Sequence, residues 1–387
     1  MAEWEYGPNA PEAAKLWSRR LFKQSITKTI AWKLANISAA IDGEENIVQI
    51  LEDTQVQKAG GTITYDLVAK LSGLGVLGDN PLAGQEESLT TYTTTITINQ
   101  LRHSVLVKGA MSQQRVPFQM RKTATGRLAD WFAERDNLGT INQATGNTGG
   151  FSILTLPDGS TVQINTTNTA ITGLVAPVAP DAAHMVFGGT KTSEGTLASG
   201  DSATLSMILQ VIYIADTNVF PIKPISLDGI DIRGALLLHP LQVKSLKNSF
   251  SAGAWGEIQL SAMKGGEITG NPIFRGSVGM YEGVVIHSDA QVPYGNRAGS
   301  GNDTTTLNPG RNCLGTANVA RGVFMGGQAL AMAMGRAYDS PGKIKWFEEV
   351  LDGGNQLRVS CGKMYGIQKN TFNSQDFATV TFSTFEL

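Results

Sequence analysis

The first regular pattern along the chain is an apolar stripe, in which hydrophobic side chains recur every three or four positions from Phe22 to Ile41. This period predicts one long amphipathic helix over residues 12–42. The stretch has no acid between Glu12 and Asp42, and its cations are Lys15, Arg19, Arg20, Lys23, Lys28 and Lys33. A basic amphipathic arm of this kind binds a membrane surface, nucleic acid or a neighbouring subunit, or is the solvated face of a packed helix.

The second pattern is the two-residue period of β-strands on both sides of a loop. Ile63, Tyr65 and Leu67 alternate with polar residues, and a run rich in Thr, Ile and Val follows over residues 91–107. The loop between them is rich in Gly, Pro and Asn, so the pattern predicts one long β-hairpin over residues 59–109. Two strands alone are marginally stable in water. Because the tip has little apolar material for a core of its own, we expect the hairpin to lie on another subunit.

The loop of this hairpin contains Gly73, Gly75 and Gly78, which have the G-x-G-x-x-G spacing of dinucleotide-binding proteins. Such a loop must open a helix whose N-terminus holds the pyrophosphate, and an acid must follow about 20 residues later. Here a strand pattern follows the glycines, and no Asp or Glu occurs from Ser88 to Ala129. We therefore interpret the glycines as bends or close-approach positions near the hairpin tip and expect no nucleotide there.

The remaining chain predicts a mixture of helices and short strands. Residues 117–137 have a clear helical stripe, whereas residues 138–205 are weakly patterned and rich in Thr, Asn, Gly and Ser, which indicates a surface insertion. The apolar run 207–215 fits helix or strand equally well. Beyond it, the pattern predicts a buried strand over 235–238 that leads into a helix at Pro240, then two short strands around glycines within 271–289. The end, residues 343–385, predicts several short strands with turns at DGGN and CGKMYG.

Composition narrows the class of protein. Charged residues make up 17% of the chain at a net charge of −2, which is a low share and suits a surface largely buried against partners. The balance also excludes a generic, strongly basic nucleic-acid binder. Cys313 and Cys361 lack metal spacing and predict reduced thiols. The acidic start is unlike a signal peptide, and the longest apolar run is half a membrane span, so we expect a cytosolic, soluble chain.

None of the candidate catalytic residues has the sequence context that its chemistry needs. The histidines are scattered, and the consecutive His287, Ser288 and Asp289 point to alternate sides of a strand, so they cannot form a triad. The adjacent pairs Glu86–Glu87 and Glu348–Glu349 lack the separation of a glycosidase pair. We interpret both pairs as solvated or salt-bridging acids. The sequence therefore predicts no enzyme, no metal and no cofactor.

Five stretches in this order carry a resemblance to a known family. They read LSGLGVLGDNPLAGQEESL, INQLRHSVLVKGAMSQQRVPFQMRKTATGRLADWFAERD, LLLHPLQVKSL, GGEITGNPIFRGSVGMYEGVVIHSDAQVP and KWFEEVLDGGNQLRVSCGKMYGIQKNTFNSQDF. Together with the order of elements, they resemble the α+β Hong Kong 97-type capsid fold of tailed phages, in the N-four-type major capsid protein family. Residues 138–205 match no part of that pattern, and Ala378 stands where the family has glycine.

The resemblance implies a division into parts. Residues 1–58 would be an N-terminal arm and 59–109 an extended loop across a neighbouring subunit. Residues 110–205 would hold the spine helix and peripheral domain, 206–340 the axial domain, and 341–387 strands that return to the peripheral domain. The implied inter-subunit residues of the loop are Gly73, Gly75, Gly78, Glu86, Glu87, Arg102 and Lys108. The basic arm, with Lys15, Arg19, Arg20, Lys23, Lys28 and Lys33, would face inward or lie between subunits.

The function that the resemblance implies is that of a major capsid protein. Its copies would self-assemble as hexamers and pentamers in the host cytoplasm and enclose double-stranded DNA through non-specific contacts, without a membrane. The resemblance does not decide whether the chain also contacts portal, scaffold and cement proteins. The alternatives are an encapsulin-like bacterial compartment and, with the glycine loop in use, a soluble nucleotide-binding enzyme.

Overall fold

The fold of the chain is given by a computed structural model. It describes residues 11–26, 28–29, 46–52, 61–68, 71, 73, 75–78, 81, 83–107, 109, 111, 114–115, 120–148, 151–155, 158–165, 168–218, 221–227, 230–249, 277–295, 312–314, 316, 318–335 and 344–386.

The described residues form helices and many short strands. The helices are α1 (Pro11–Ile26), α2 (Met120–Thr145), α3 (Leu205–Thr217) and α4 (Pro240–Ser249). The first strands are β1 (Val48–Glu52), β2 (Thr62–Val68), β3 (Thr91–Thr97), β4 (Asn99–Val107), β5 (Phe151–Thr155), β6 (Thr161–Asn165), β7 (Met185–Phe187), β8 (Ile225–Leu227), β9 (Ile230–Ile232) and β10 (Gly234–Leu238). The others are β11 (Ser277–Tyr281), β12 (Val284–Ser288), β13 (Asn312–Cys313), β14 (Val319–Met325), β15 (Leu330–Met334), β16 (Lys345–Leu351), β17 (Gln356–Lys369), β18 (Thr371–Phe372), β19 (Gln375–Asp376) and β20 (Thr379–Phe385).

One sheet of five strands is built around β17. This strand is 14 residues long and pairs antiparallel with β4 along one side and with β16 and then β15 along the other. The strand β1 adds in parallel to β15. Helices α1 and α2 pack against each other and cover one face of this sheet. Among the described residues, no helix packs on the other face.

A second sheet has six strands in the order β11-β12-β10-β14-β20-β7. Every residue of β10 is buried, as expected for a central strand covered on both faces. Helix α3 packs against β20 and β7, and it presents buried Met207, Ile208, Val211, Ile212 and Ala215 to the core. The predicted strand-to-helix step at Pro240 is confirmed by β10 and α4. Helix α3 settles the ambiguity of the run 207–215, and β11 and β12 are the two predicted strands around glycines.

The predicted surface insertion at 138–205 is wrong in its first part, because α2 continues to Thr145 and residues 138–147 are all buried. Polar side chains are buried here because they bind backbone carbonyls. Asn142 Nδ2 donates to Ile171 O at 3.1 Å, and Gln143 Nε2 donates to Thr172 O and Val175 O at 2.9 and 2.8 Å. A hydropathy pattern does not reveal such burial, since it counts Asn, Gln and Thr as surface residues.

The N-terminal helix is shorter than predicted. It ends at Ile26 rather than at 42, and Lys28 N closes a turn on Ser25 O at 3.1 Å. Residues 30–45, which include most of the predicted stripe, lie outside the described residues. The sequence pattern also gave no sign of β1, which joins residues 48–52 to the five-stranded sheet.

The predicted hairpin over 59–109 is also corrected. The run 91–107 is two strands that separate at Ile98 and pair with different partners: β3 with β2, and β4 with β17. Ile98 N donates to Gly61 O at 2.6 Å, which closes the hairpin at residues 61–98. Only β2 and β3 therefore form the projecting hairpin, and β4 belongs to the five-stranded sheet.

The end of the chain differs from the prediction in two places. The predicted turn DGGN is confirmed at Asp352–Gly354, where Gly353 has φ 60°, but CGKMYG lies inside β17 and is no turn. Strands β16 and β17 lie in the five-stranded sheet, whereas β20 lies in the six-stranded sheet between β14 and β7. The C-terminal strands therefore serve both sheets.

Candidate functional site

The base of the hairpin is anchored to the body of the chain. Strands β2 and β3 pair from Thr62↔Thr97 to Val68↔Thr91. Ile96 is buried against Ala331 and Ala333, and Thr94 Oγ1 donates to Thr371 O at 2.6 Å. These contacts fix the direction in which the hairpin leaves the sheet.

The tip of the hairpin, residues 71–90, is exposed. Every described residue in it is exposed to solvent except the half-buried Val76. Leu77 is 83% exposed, and the other large apolar side chains at this end are Val68, Leu71 and Leu89. None of them joins a hydrophobic cluster of the described residues. Several exposed apolar side chains together at the end of a projection are typical of a protein contact.

The glycines of the tip shape its backbone. Gly75 and Gly78 have φ values of 71° and 68°, and a Cβ at either position would meet nothing within 4 Å, so these two glycines are bends and not packing sites. Gly73 is different, because its N–H donates to Glu87 Oε2 at 2.6 Å. Glu86 accepts from Gly84 N at 2.7 Å. The element that follows is β3 and not a helix, so the motif lacks the helix N-terminus that a dinucleotide needs.

The other residues of the predicted inter-subunit set lie away from this tip. Arg102 is exposed on β4, in the five-stranded sheet. A Cβ at Gly362, its partner on β17, would lie 2.9 Å from Arg102 Cγ, so the arginine stem crosses the glycine. Lys108 lies outside the described residues. The structure thus brings Gly73 together with Glu87 but places Arg102 on a separate surface.

The basic arm is only partly described. Helix α1 buries Ser18, Leu21 and Ser25 and exposes Arg19, Arg20 and Lys23. Lys28 forms an ion pair with Asp130 of α2. Lys15 lies in α1, but its side chain is outside the description, and Lys33 lies outside the described residues altogether.

Helix α2 adds cations that sequence reasoning missed. Lys122 and Arg127 are exposed on its outer side, and Arg127 Nη1 lies 3.7 Å from Asp130 Oδ2. The helical period turns Arg127 away from the buried Leu128 and Phe132, so the pattern of residues 117–137 could have identified it, whereas Lys122 lies on the flank of the buried stripe. The exposed cations of α1 and α2 therefore lie on one helical layer.

A buried polar group holds α1 on this layer. Trp17 stacks on Trp346 at 5.8 Å between ring centroids, and the Arg121 guanidinium lies 5.2 Å from the Trp17 ring. Arg121 Nη2 and Trp346 Nε1 both donate to the buried Glu348 Oε1, at 2.7 and 2.9 Å. Glu349 pairs with Arg358. Both glutamates are thus the salt-bridging acids that the sequence analysis described.

Cys361 and Lys363 are both buried. Burial raises the pKa of the Cys361 thiol. Burial lowers the pKa of the Lys363 ammonium, against the opposing effect of Asp136, with which it pairs inside the sheet–helix layer. The described residues contain no group of three His, Cys, Asp or Glu side chains that could hold a metal. None of the described helices has the length and apolar character needed to cross a membrane.

Known proteins with similar sequences and structures are phage capsid proteins. A family model described as phage capsid protein matches residues 6–385. The major capsid protein of Pseudomonas phage KPP25 is 27% identical over 391 residues, covering 95% of this chain and 94% of the relative.

Solved structures agree with this match. The capsid of Ralstonia phage GP4 has a TM-score of 0.71 at 29% identity and covers 89% of both chains. The capsid asymmetric unit of cyanophage Pam1 has a TM-score of 0.61 at 17% identity, over 91% of this chain and 93% of that one, and it supports the fold alone.

These similarities confirm the predicted Hong Kong 97-type α+β fold and the predicted role of a phage major capsid protein. The N-four-type subfamily stays a prediction. The family model leaves only a few residues unmatched at either end of the sequence. The chain belongs to the phage capsid protein family.

Proposed function

We propose that copies of this chain assemble, as hexamers and pentamers, into the icosahedral shell that encloses the double-stranded DNA genome of a tailed phage. The observation that carries this proposal is the hairpin tip, which projects from the body with its apolar side chains exposed. The GP4 and Pam1 structures are described as capsids, which supports the same assembly here. The role is structural, and we assign the chain to the virion without a catalytic step.

The hairpin of β2 and β3 is the extended loop of this proposal. Full burial of a Leu or Val side chain stabilises a contact by about 1.5–3 kcal/mol. The tip forgoes this gain within its own chain, because Leu77 and Leu89 remain exposed. A neighbouring subunit that covers them supplies the missing contact, and many such modest contacts add up in a closed shell.

The other parts follow from the two sheets. Helix α2 is the spine helix of this proposal, and the five-stranded sheet with α1 and α2 is the peripheral domain. The six-stranded sheet with α3 and α4 is the axial domain, around which subunits meet. This assignment follows strand pairing rather than linear segments, so it gives β20 and β7 to the axial domain and β1 and β15 to the peripheral domain.

The helical layer of α1 and α2 is the surface that faces DNA in this proposal. Its exposed cations include Arg19, Arg20 and Lys23 of α1 and Lys122 and Arg127 of α2. Cations that neutralise phosphates release counterions, so binding weakens with salt at a slope of about −0.9 per phosphate contact. We expect the arm variant with Gln at Lys15, Arg19, Arg20, Lys23, Lys28 and Lys33 to flatten this slope. An unchanged slope would leave α1 with a packing role only.

Electron microscopy of the purified protein tests the assembly itself. We expect large closed particles, or rings of five and six subunits, from the natural chain. Deletion of residues 72–86 should leave a folded chain, judged by circular dichroism, that no longer assembles. Normal particles from this deletion variant would refute the role of the tip, and a stable monomer of the natural chain would refute the proposal as a whole.

A further inference from the structure

The hairpin of β2 and β3 is held at two points along its length, and we infer that the outer point sets the angle of the hairpin and thereby the curvature of the shell. This inference rests on the proposed function and assigns positioning residues to it. The outer point is the hairpin clamp, which consists of the cross-strand pair Tyr65 and Thr94 and of their acceptors Asn370 and Thr371.

The hairpin clamp ties both strands of the hairpin to one corner of the body. Tyr65 Oη donates to Asn370 Oδ1 at 2.5 Å, and Thr94 Oγ1 donates to Thr371 O at 2.6 Å. Tyr65 and Thr94 are directly opposite each other in the ladder, so their side chains lie on the same face of the ribbon. Because the two acceptors are consecutive residues, one pair of the ladder is bound through both of its members to one place.

The corner that receives these bonds is itself held by hydrogen bonds to the body. Asn370 is buried, and its N–H donates to Ala329 O at 3.1 Å. Its Nδ2 donates to Gln328 O at 2.7 Å, and its carbonyl oxygen accepts from Phe377 N at 3.1 Å. The side-chain amide is therefore fixed through its nitrogen, which leaves Oδ1 as a positioned acceptor for Tyr65.

Packing supports the tyrosine in this position. The Tyr65 ring meets Phe372 edge-on at 6.1 Å between ring centroids, and Phe372 meets Phe377 in the same way at 5.4 Å. The buried ion pair of Lys369 with Asp376, at 2.7 Å, holds the short ribbon that carries Phe372. Burial also raises the pKa of the Tyr65 hydroxyl, so this group remains a hydrogen-bond donor at neutral pH.

A second point of attachment restricts rotation of the hairpin. The inner point is the bond from Ile98 N to Gly61 O, and a ribbon held only there could pivot. The hairpin clamp lies four residues further along β2, roughly 13 Å away. The last pair of the ladder, Val68↔Thr91, is seven residues beyond Gly61, or roughly 23 Å. A pivot of about 10° would therefore move it by about 4 Å, which is comparable with the limit of an apolar contact.

The angle of the hairpin contributes directly to the shape of the shell. Where identical copies join head to tail, the rotation from one copy to the next decides whether the assembly closes. A clamped hairpin gives every copy nearly the same rotation, whereas a hairpin that pivots gives a range of rotations. The hairpin clamp therefore favours particles of one diameter, and its loss favours particles of mixed diameters.

Removal of two hydroxyl groups tests this inference on the full chain. The variant Y65F/T94V keeps the ring and the branched side chain and removes only the two donors. We expect its yield of particles to stay within about threefold of the natural chain, with a distribution of diameters at least twofold wider in electron micrographs. The matched control Y92F/T95V makes the same substitutions on β3, where neither hydroxyl has a hydrogen bond within the part of the chain that the structure describes. It should give the natural distribution.

Urea unfolding of the same variants separates the angle of the hairpin from the stability of the fold. A wider distribution of diameters, or a loss of particles, at an unchanged unfolding midpoint would support the inference, because the hairpin is then misdirected in a folded chain. The natural distribution in Y65F/T94V would overturn it. So would a lower unfolding midpoint with no particles, since the two hydroxyls would then hold the fold, or an equally wide distribution in the control. None of these results refutes the proposed function, which a stable monomer of the natural chain would refute.

Discussion

At the scale of residues, one buried ion pair links the long helix to the five-stranded sheet. Lys363 of β17 pairs with Asp136 of α2, and the Lys363 ammonium lies 4.0 Å from the ring centroid of Tyr365. Two charges that are buried in this way lose their hydration, and each is compensated mainly by the other. Removal of either partner therefore leaves an uncompensated charge in the interior. The pair thereby ties the long helix to the central strand.

Removal of one partner is expected to cost more than removal of both. K363M leaves Asp136 buried without its cation and should lower the free energy of unfolding by about 3–5 kcal/mol. The double variant K363M/D136L replaces the pair with apolar side chains and should recover most of that loss. Urea unfolding followed by circular dichroism measures both. Equal losses in the single and double variants would contradict the account.

Glu386 predicts a pH effect of definite sign. Burial, as the largest cause, raises the pKa of its carboxyl above the ordinary 4.5, although hydrogen bonds from Ser245, Ala203 N–H and Thr384 oppose the rise. The folded chain then holds the proton more tightly than the unfolded chain. Its contribution to stability is complete below pH 4.5 and is lost as the pH rises through the folded pKa.

The variant E386Q keeps the acceptor for Ala203 N–H, which lies 3.0 Å from Glu386 Oε1, and removes the titration. We expect the unfolding temperature of the natural chain, relative to E386Q, to decrease as the pH rises from 4.5 towards neutrality. Thermal unfolding of both proteins across this range is the measurement. Parallel profiles would show that Glu386 does not titrate differently on unfolding.

At the scale of elements, one arginine joins the six-stranded sheet to the end of α2. Arg321 of β14 donates through Nε and Nη2 to the two carboxylate oxygens of Glu194, at 2.7 and 2.8 Å. Its Nη1 donates to Thr145 O and Gly146 O, at 3.2 and 3.1 Å. These carbonyls end α2, where a cation is favoured by the helix dipole. The six-stranded sheet is thus attached to the end of the long helix.

We expect R321A to lower the free energy of unfolding by about 3–5 kcal/mol, because it leaves a mostly buried carboxylate without its cation and two helix carbonyls without this donor. The matched control is R233A, which removes an ion pair with Asp216. Arg233 and Asp216 are 44% and 54% exposed, against 11% and 14% for Arg321 and Glu194, so R233A should cost less than about 1 kcal/mol. Denaturant titration measures both, and similar losses would contradict the capping role.

Elements with a strong local pattern were predictable from sequence. The step from β10 to α4 combines a run of buried aliphatic residues with Pro240 at the first helical position, so propensity and pattern agree. The start of β4 was not predictable, because the run 91–107 has one unbroken strand pattern and only the pairing partners change at Ile98. The pairing of strands that are distant in sequence is not visible in the local pattern of hydrophobic and polar residues.

Some parts of the candidate site were predictable from the sequence, and other parts were not. The exposed tip followed from its glycines and its lack of a core, and the cations of α1 followed from their spacing. The grouping of Arg102, Ser360 and Phe347 on the five-stranded sheet did not follow, because these residues come together only through the pairing of β4, β17 and β16.

At the scale of the whole molecule, assembly itself should stabilise the folded chain. A partner that binds only the folded state raises the apparent free energy of unfolding by about 1.4 kcal/mol for each tenfold increase in the partner's concentration. We expect the unfolding temperature of the natural chain to rise with protein concentration under assembly conditions. The deletion 72–86 should show a constant temperature. Calorimetry over a hundredfold range of protein concentration distinguishes these two expectations. The same concentration dependence in both proteins would show that assembly through the tip does not stabilise the folded chain.

The order of strands has a consequence for biosynthesis. Strand β17 lies in the interior of one sheet and β20 in the interior of the other, yet both are translated after residue 355. A nascent chain that has reached this point has β4, β15 and β16 without their common partner and β14 without β20. Neither sheet can close on the ribosome before the late strands emerge. We therefore expect subunits to become competent for shell building only after nearly all of the described strands have been made, and we expect chains that end before residue 355 not to enter the shell.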